Sequence, residues 1–186
     1  MARMQIIVDR DLERLAKGLN VSSSKVRTSV SRALNRAASQ ARTGVDKGVR
    51  ERIGVKKRDV FKNVTVRRAS TRRLESIVKI RGRAIPLGAF KARQTKRGAT
   101  AKINKTGGRT LYRGTFTATM RSGHLGVYKR IGKTRLPLKE LYGPSIPTVV
   151  EQEPDLAVKV EHDAAVNLER ALTAQMELML KKTGRA

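Results

Sequence analysis

The sequence predicts an α+β fold, an antiparallel-rich β-sheet packed by two long α-helices, one before and one after the strand region. Three observations carry that expectation. A helix-period apolar stripe runs through 22–54. A β-branched stretch, rich in Thr and Gly, fills 64–135. A second helix-period stripe occupies 150–182. The whole of 1–186 fits one domain, since a chain of this length buries enough surface for an independent core.

The first long helix is read from Val26, Val30, Leu34, Ala37, Ala41, Val45, Val49 and Ile53, spaced three and four apart. Ser22, Ser23 and Ser24 offer N-caps, and Gly54 offers a C-terminal stop. Some thirty residues at about 1.5 Å each make a rod of ~45 Å. Its other faces carry Lys25, Arg27, Arg32, Arg36, Arg42, Lys47, Arg50 and Arg52. The Ala-rich stripe suits close helix packing, so these cations are expected mainly in solvent. Ahead of this helix, 4–8 predicts a short strand, and Leu12, Leu15 and Leu19 predict one face of a short helix.

A short helix is expected over 56–63. Strands are expected at 64–66, 77–80, 100–103, 115–120 and 125–128, where β-branched residues dominate. Thr106-Gly107-Gly108 reads as a hairpin turn, and Arg81-Gly82 and Ser122-Gly123 as breaks. The segment 136–149 is a Pro-punctuated connection. The last helix, 150–182, is read from Leu156, Val160, Ala164, Leu168, Leu172, Met176 and Met179, with Pro154 in its first turn or at a kink.

Charge is distributed unevenly. The formal net charge is +27. Residues 76–139 hold 17 Lys or Arg and no Asp or Glu, whereas 140–186 hold 5 basic and 8 acidic side chains, a net of −3. Such a block can meet a polyanion or an acidic protein surface without internal neutralisation. Its candidate contact residues are Lys91, Arg93, Lys96, Arg97, Lys102 and Lys105 in one run, and Lys129, Arg130, Lys133 and Arg135 in the other. Contacts of that kind with phosphates are sequence-independent and salt-sensitive. Base stacking has little support, because the block offers only Phe90, Tyr112, Phe116 and Tyr128, some of them needed for the core.

Several function classes are disfavoured. The absence of cysteine excludes disulfides, thiolate zinc sites and cysteine catalysis. The apolar runs are too short for a signal-peptide core or a transmembrane helix. His124 lies in a Gly-flanked turn, and His162 sits between Glu161 and Asp163, which point in other directions on a helix. Two-metal chemistry needs clustered carboxylates, and the central block has none. No Walker A, GxSxG or HExxH motif occurs. No catalytic residue, metal or cofactor is expected. A candidate docking segment is Leu136, Pro137, Leu138, Leu141, Tyr142, Pro144, Ile146 and Pro147, in which three prolines limit disorder. A rigid crossover to the last helix is the plainer reading of the same segment.

These residues also carry a family resemblance. The stretches are Ile85-Pro-Leu-Gly-Ala-Phe90 with Lys91-Ala-Arg-Gln-Thr-Lys-Arg-Gly98, Gly114-Thr-Phe-Thr-Ala118 and Gly126-Val-Tyr-Lys-Arg-Ile-Gly132. Arg135-Leu-Pro-Leu138 and Leu141-Tyr-Gly-Pro-Ser-Ile-Pro147 follow, and Arg32-Ala-Leu-Asn-Arg-Ala-Ala38 precedes them. In this order and spacing the chain resembles the minor tail protein Z family of tailed phages, also described as tail completion proteins. The resemblance implies a structural virion protein at the head-proximal end of the tail, present in the host cytoplasm during assembly. It implies a ring of subunits, six-fold to match the tail tube. The implied neighbours are the tail terminator, the head–tail connector, the tape measure protein and packaged DNA. Two rivals stand beside it: a free-standing sequence-independent nucleic-acid-binding protein, and a basic nuclease, which the missing acids disfavour.

Overall fold

The computed structural model describes residues 2–7 and 23–182. The expected helix face at Leu12, Leu15 and Leu19, and the cap candidate Ser22, lie outside the described residues. The fold class is α+β, as expected: two long helices flank antiparallel strands. The strands form three small three-stranded sheets rather than one.

The chain divides into two compact units. Among the described residues, the first gathers those up to Val45, Val64–Ile80 and those from Glu153 on. Its sheet has the order β1 (Ala2–Ile7), β3 (Glu75–Ile80), β2 (Val64–Arg67), all antiparallel. Central strand β3 is covered on both sides, so Ser76, Ile77, Val78 and Ile80 are all buried. The Ser76 hydroxyl is satisfied by donating to the Arg67 carbonyl at 3.0 Å.

Helix α1 (Ser23–Arg52) and helix α4 (Pro154–Lys182) pack against each other. Gly44 is the close-approach point: a Cβ there would lie 3.7 Å from Val160 Cγ2. Every residue of the first predicted stripe, from Val26 to Ile53, is buried. The covered face is wider than that stripe and also takes in Ser29, Ser31, Ala33 and Ala38. Asn35 serves as a clamp in mid-helix. Its amide donates to the Ala69 carbonyl at 3.0 Å and accepts from the Ala69 N–H at 2.8 Å, tying down the loop after β2.

The second unit holds Asp46–Asn63 and Arg81–Gln152. It contains α2 (Lys57–Asn63) and the sheet β4 (Arg93–Thr95), β5 (Gly98–Ala101), β6 (Thr110–Arg113). It also contains the sheet β7 (Thr115–Thr119), β8 (Leu125–Arg130), β9 (Leu138–Glu140), followed by α3 (Ile146–Glu151). Side chains join the two sheets. The Ala99 N–H donates to Thr115 Oγ1 at 3.1 Å, and the Thr117 N–H donates to Gln94 Oε1 at 2.8 Å. Phe90 is fully buried, and Gly143 leaves it room: a Cβ at Gly143 would meet the ring at 2.6 Å.

Several local expectations are corrected. Helix α1 ends at Arg52, just before the expected stop at Gly54, but Gly54 is not left-handed; its N–H donates to the Ile103 carbonyl beside an Ile53–Asn104 bridge. Thr106-Gly107-Gly108 does lie between two antiparallel strands, β5 and β6, but within an eight-residue connection rather than a tight turn. Strands β4, β6 and β9 were not anticipated. The last long helix begins at Pro154 rather than at 150, because Val149 and Val150 belong to α3. That short helix is N-capped by Ser145, whose hydroxyl accepts from the Thr148 N–H at 3.2 Å.

Candidate functional site

The predicted contact residues all fall in the second unit. Arg93 lies on β4, opposite Thr100, and Lys96 and Arg97 form the tip of the β4–β5 hairpin. Gly98, at φ 141°, closes that tip; a Cβ there would lie 2.2 Å from the Tyr112 carbonyl oxygen. Lys91 is the one non-glycine residue with positive φ among the described residues, at 52°. Its carbonyl accepts from Arg109 Nη2 at 2.6 Å, and Arg109 also donates to Thr100 Oγ1 and the Thr100 carbonyl. Arg109 is thus a structural brace, which leaves the Lys91 side chain in solvent.

Backbone bonds fix the following loop. The Lys102 N–H donates to the Phe90 carbonyl at 3.0 Å, and the Lys105 N–H to the Arg52 carbonyl at 2.8 Å. Lys102 is half-buried, whereas Lys105 is exposed.

The second run begins on β8. Lys129 pairs across the sheet with Thr115 on one side and with Lys139 on the other. Two exposed ammonium groups directly opposite each other repel, and a bound anion would relieve that repulsion. Arg130 lies over the Phe116 ring at 5.4 Å and donates to the Arg135 carbonyl at 3.2 Å. Lys133 and Arg135 are exposed in the β8–β9 connection, between Ile131 and Leu136, each 66% exposed.

Strand β7 links the two runs, since it pairs with β8 and takes the Gln94 bond from β4. Among the described residues, none of the ten candidate cations forms an ion pair with a carboxylate. The docking segment is divided by burial. Ile146 and Pro147 are buried, Leu138, Leu141 and Pro144 are half-buried, and Leu136, Pro137 and Tyr142 are exposed.

A third basic feature was missed from the sequence. A groove of about 860 Å³ is rimmed by Lys56, Arg58, Lys62, Arg83 and Lys91, with Ile85, Pro86, Ala89 and Leu125 among its apolar lining. Only Lys91 was anticipated, because the other cations come from segments 56–62 and 83, outside the densest runs. Gly88 lets the apolar lining close: a Cβ there would lie 2.1 Å from the Leu125 carbonyl oxygen.

At the end of the β7–β8 hairpin, His124 Nε2 lies 2.6 Å from Glu140 Oε1, and the Tyr142 hydroxyl donates to Glu140 Oε2 at 2.9 Å. That hydrogen bond and the Glu140 charge raise the Tyr142 phenol above its ordinary value. Burial, then the Glu140 charge, raises Tyr128, and burial raises Tyr112. Among the described residues, no group of three His, Cys, Asp or Glu could hold a metal ion. No described helix is long and apolar enough to cross a membrane.

The arrangement suits recognition of anionic matter by lysine and arginine on a braced β scaffold. The family model for prophage minor tail protein Z (GPZ) matches residues 10–182. No curated protein and no solved structure matches the chain. The family match spans both units, both long helices and every basic run, so the chain belongs to the prophage minor tail protein Z (GPZ) family of phage tail structural proteins.

Proposed function

We propose that the protein completes the head-proximal end of a phage tail, supports head–tail joining and holds the DNA at the junction. The observation that carries the DNA part is the pair of braced basic runs joined through β7, whose cations have no carboxylate partner among the described residues. Lys91, Arg93, Lys96 and Arg97 on one side of β7, and Lys129, Arg130, Lys133 and Arg135 on the other, contact phosphates without reading bases. Membership of a tail-protein family supports the location in the virion. The subunits form a six-fold ring between the tail terminator and the head–tail connector, with the tape measure protein as a further neighbour. Ring closure requires two different patches on each subunit.

The test is electron microscopy of lysates from a phage with an early stop codon in this gene. Filled heads beside complete, unjoined tails are expected. Wild-type particles at wild-type titre would reject the reading and favour a free-standing nucleic-acid-binding protein. In the same phage, replacing Arg93, Lys96 and Arg97 together by Ala leaves the fold intact, since all three are exposed, and lowers DNA retention. Unchanged infectivity with unchanged salt-dependent DNA binding would remove these residues from the DNA contact.

A further inference from the structure

The groove rimmed by Lys56, Arg58, Lys62, Arg83 and Lys91 combines two properties. Its five cations are exposed and form the rim, with Asp59 as the one carboxylate among its lining residues, while buried Ile85 and half-buried Pro86 and Ala89 make an apolar floor. Asp59 lies 3.8 Å from Arg58, and the other four rim cations have no ion-pair partner among the described residues. A nucleic acid would use the rim but gain little from the apolar lining of Ile85, Pro86, Ala89 and Leu125, and the lone aromatic ring among the lining residues, His124, is held by Glu140 at 2.6 Å. An acidic protein surface with an apolar centre would use both.

The chain carries such a surface. On α4, positions Asp155, Val158, Glu161, Ala165 and Glu169 follow the three-and-four spacing of one helix face, and all five are exposed. Val158 is 65% exposed at the centre of the first half of that face. None of the three carboxylates has an ion-pair partner among the described residues. Exposed Lys159 borders this face, four residues after Asp155, but none of its five positions is Lys or Arg, in a chain whose net charge is +27.

We propose that the groove seats the acidic face of α4 from a second copy of the chain. Val158 lies on the apolar floor, and Asp155 and Glu161 lie among the rim cations. The groove volume accommodates side chains of one helix face rather than a whole helix. Groove and helix face are different surfaces, so the contact is head-to-tail and can propagate to a ring. The inference rests on the ring reading above and supplies its interface.

The test uses the purified full-length chain in sedimentation velocity over a concentration series at low and high salt. Wild type is expected to self-associate, and less so as salt rises. A groove variant (K56A/R58A/K62A) and a helix variant (D155N/V158S/E161Q) are each expected to associate ~10-fold or more weakly, the scale of losing several interfacial charges. Mixing the two variants restores one intact groove and one intact helix face. It should yield a one-to-one heterodimer that grows no further, which also shows that both variants are folded.

Wild type that stays monomeric at every concentration would overturn the inference, as would a groove variant that associates like wild type. A groove variant that loses binding to a short DNA duplex while self-association persists would assign the groove to phosphate instead. These failures are distinct from that of the tail reading, which is decided by the stop-codon phage and not by self-association.

Discussion

The two long helices have nearly the same length and different roles. Helix α1 has 30 residues and α4 has 29. Every stripe position of α1 is buried, and burial extends beyond the stripe to Ser29, Ser31 and Asp46. On α4, Leu156, Val160, Ala164 and Met179 of the stripe are buried, but Leu168, Leu172 and Met176 are only half-covered, and Val158 and Leu178 are exposed. Repulsion within a chain this basic opposes compaction, so a helix covered over a wide face has to supply the scaffold. A helix that keeps acids and valine in solvent is suited to meeting something else. Apolar periodicity alone does not tell these cases apart; the polar residues between the stripe positions do.

Truncating the stripes should expose the contrast most strongly. Leu34→Ala on α1 removes a side chain with 0% exposure. It should cost about 2–5 kcal/mol of unfolding free energy. Leu168→Ala at a half-covered position of α4 should cost less than half as much, measured by the same denaturant titration. Equal losses would break the comparison and make α4 as much a core element as α1. A smaller effect is expected at Asp46. Its carboxylate is buried on α1 and takes two hydrogen bonds from Arg50, at 3.0 and 2.9 Å, which raise Arg50 above its ordinary pKa. Asp46→Asn keeps the shape and removes the charge. Because the Arg50 side chain is 36% exposed and partly screened, the expected loss is about 1–2 kcal/mol rather than that of a sealed pair. A neutral Asp46→Asn would show that the pair adds nothing to α1.

The same contrast explains what could be read from the chain. The α1 stripe was legible because a helix covered over a wide face repeats its apolar residues at nearly constant spacing. Strands β3, β7 and β8 were legible from β-branched residues. Strands β4 and β9 were not, because Arg93-Gln94-Thr95 and Leu138-Lys139-Glu140 are three-residue polar edges defined by their partners and not by their own composition. The break at Gln152-Glu153 was also missed, since helical spacing runs on through α3 into α4. Of the basic surface, the two dense runs announced themselves by charge. The groove did not, because its rim is assembled from residues 56–62, 83 and 91, each unremarkable in a chain with 42 Lys and Arg. Arg109 shows the converse: it sits in the acid-free block but braces Lys91 and Thr100.

The smallest expected change in stability is also the most selective for the role of α4. Val158→Ser exchanges residues of similar helix propensity at an exposed site, so unfolding free energy should shift by no more than about 0.5 kcal/mol. A loss of 1 kcal/mol or more would mean that Val158 is covered within its own chain, and α4 would then resemble α1. An unchanged unfolding midpoint together with weaker self-association would place the value of this side chain in contact with a second copy. Ser is the right replacement because it removes apolar surface without adding charge. A weakened assembly could then be attributed to the lost contact with the apolar floor of Ile85, Pro86 and Ala89 and not to altered electrostatics among the rim cations.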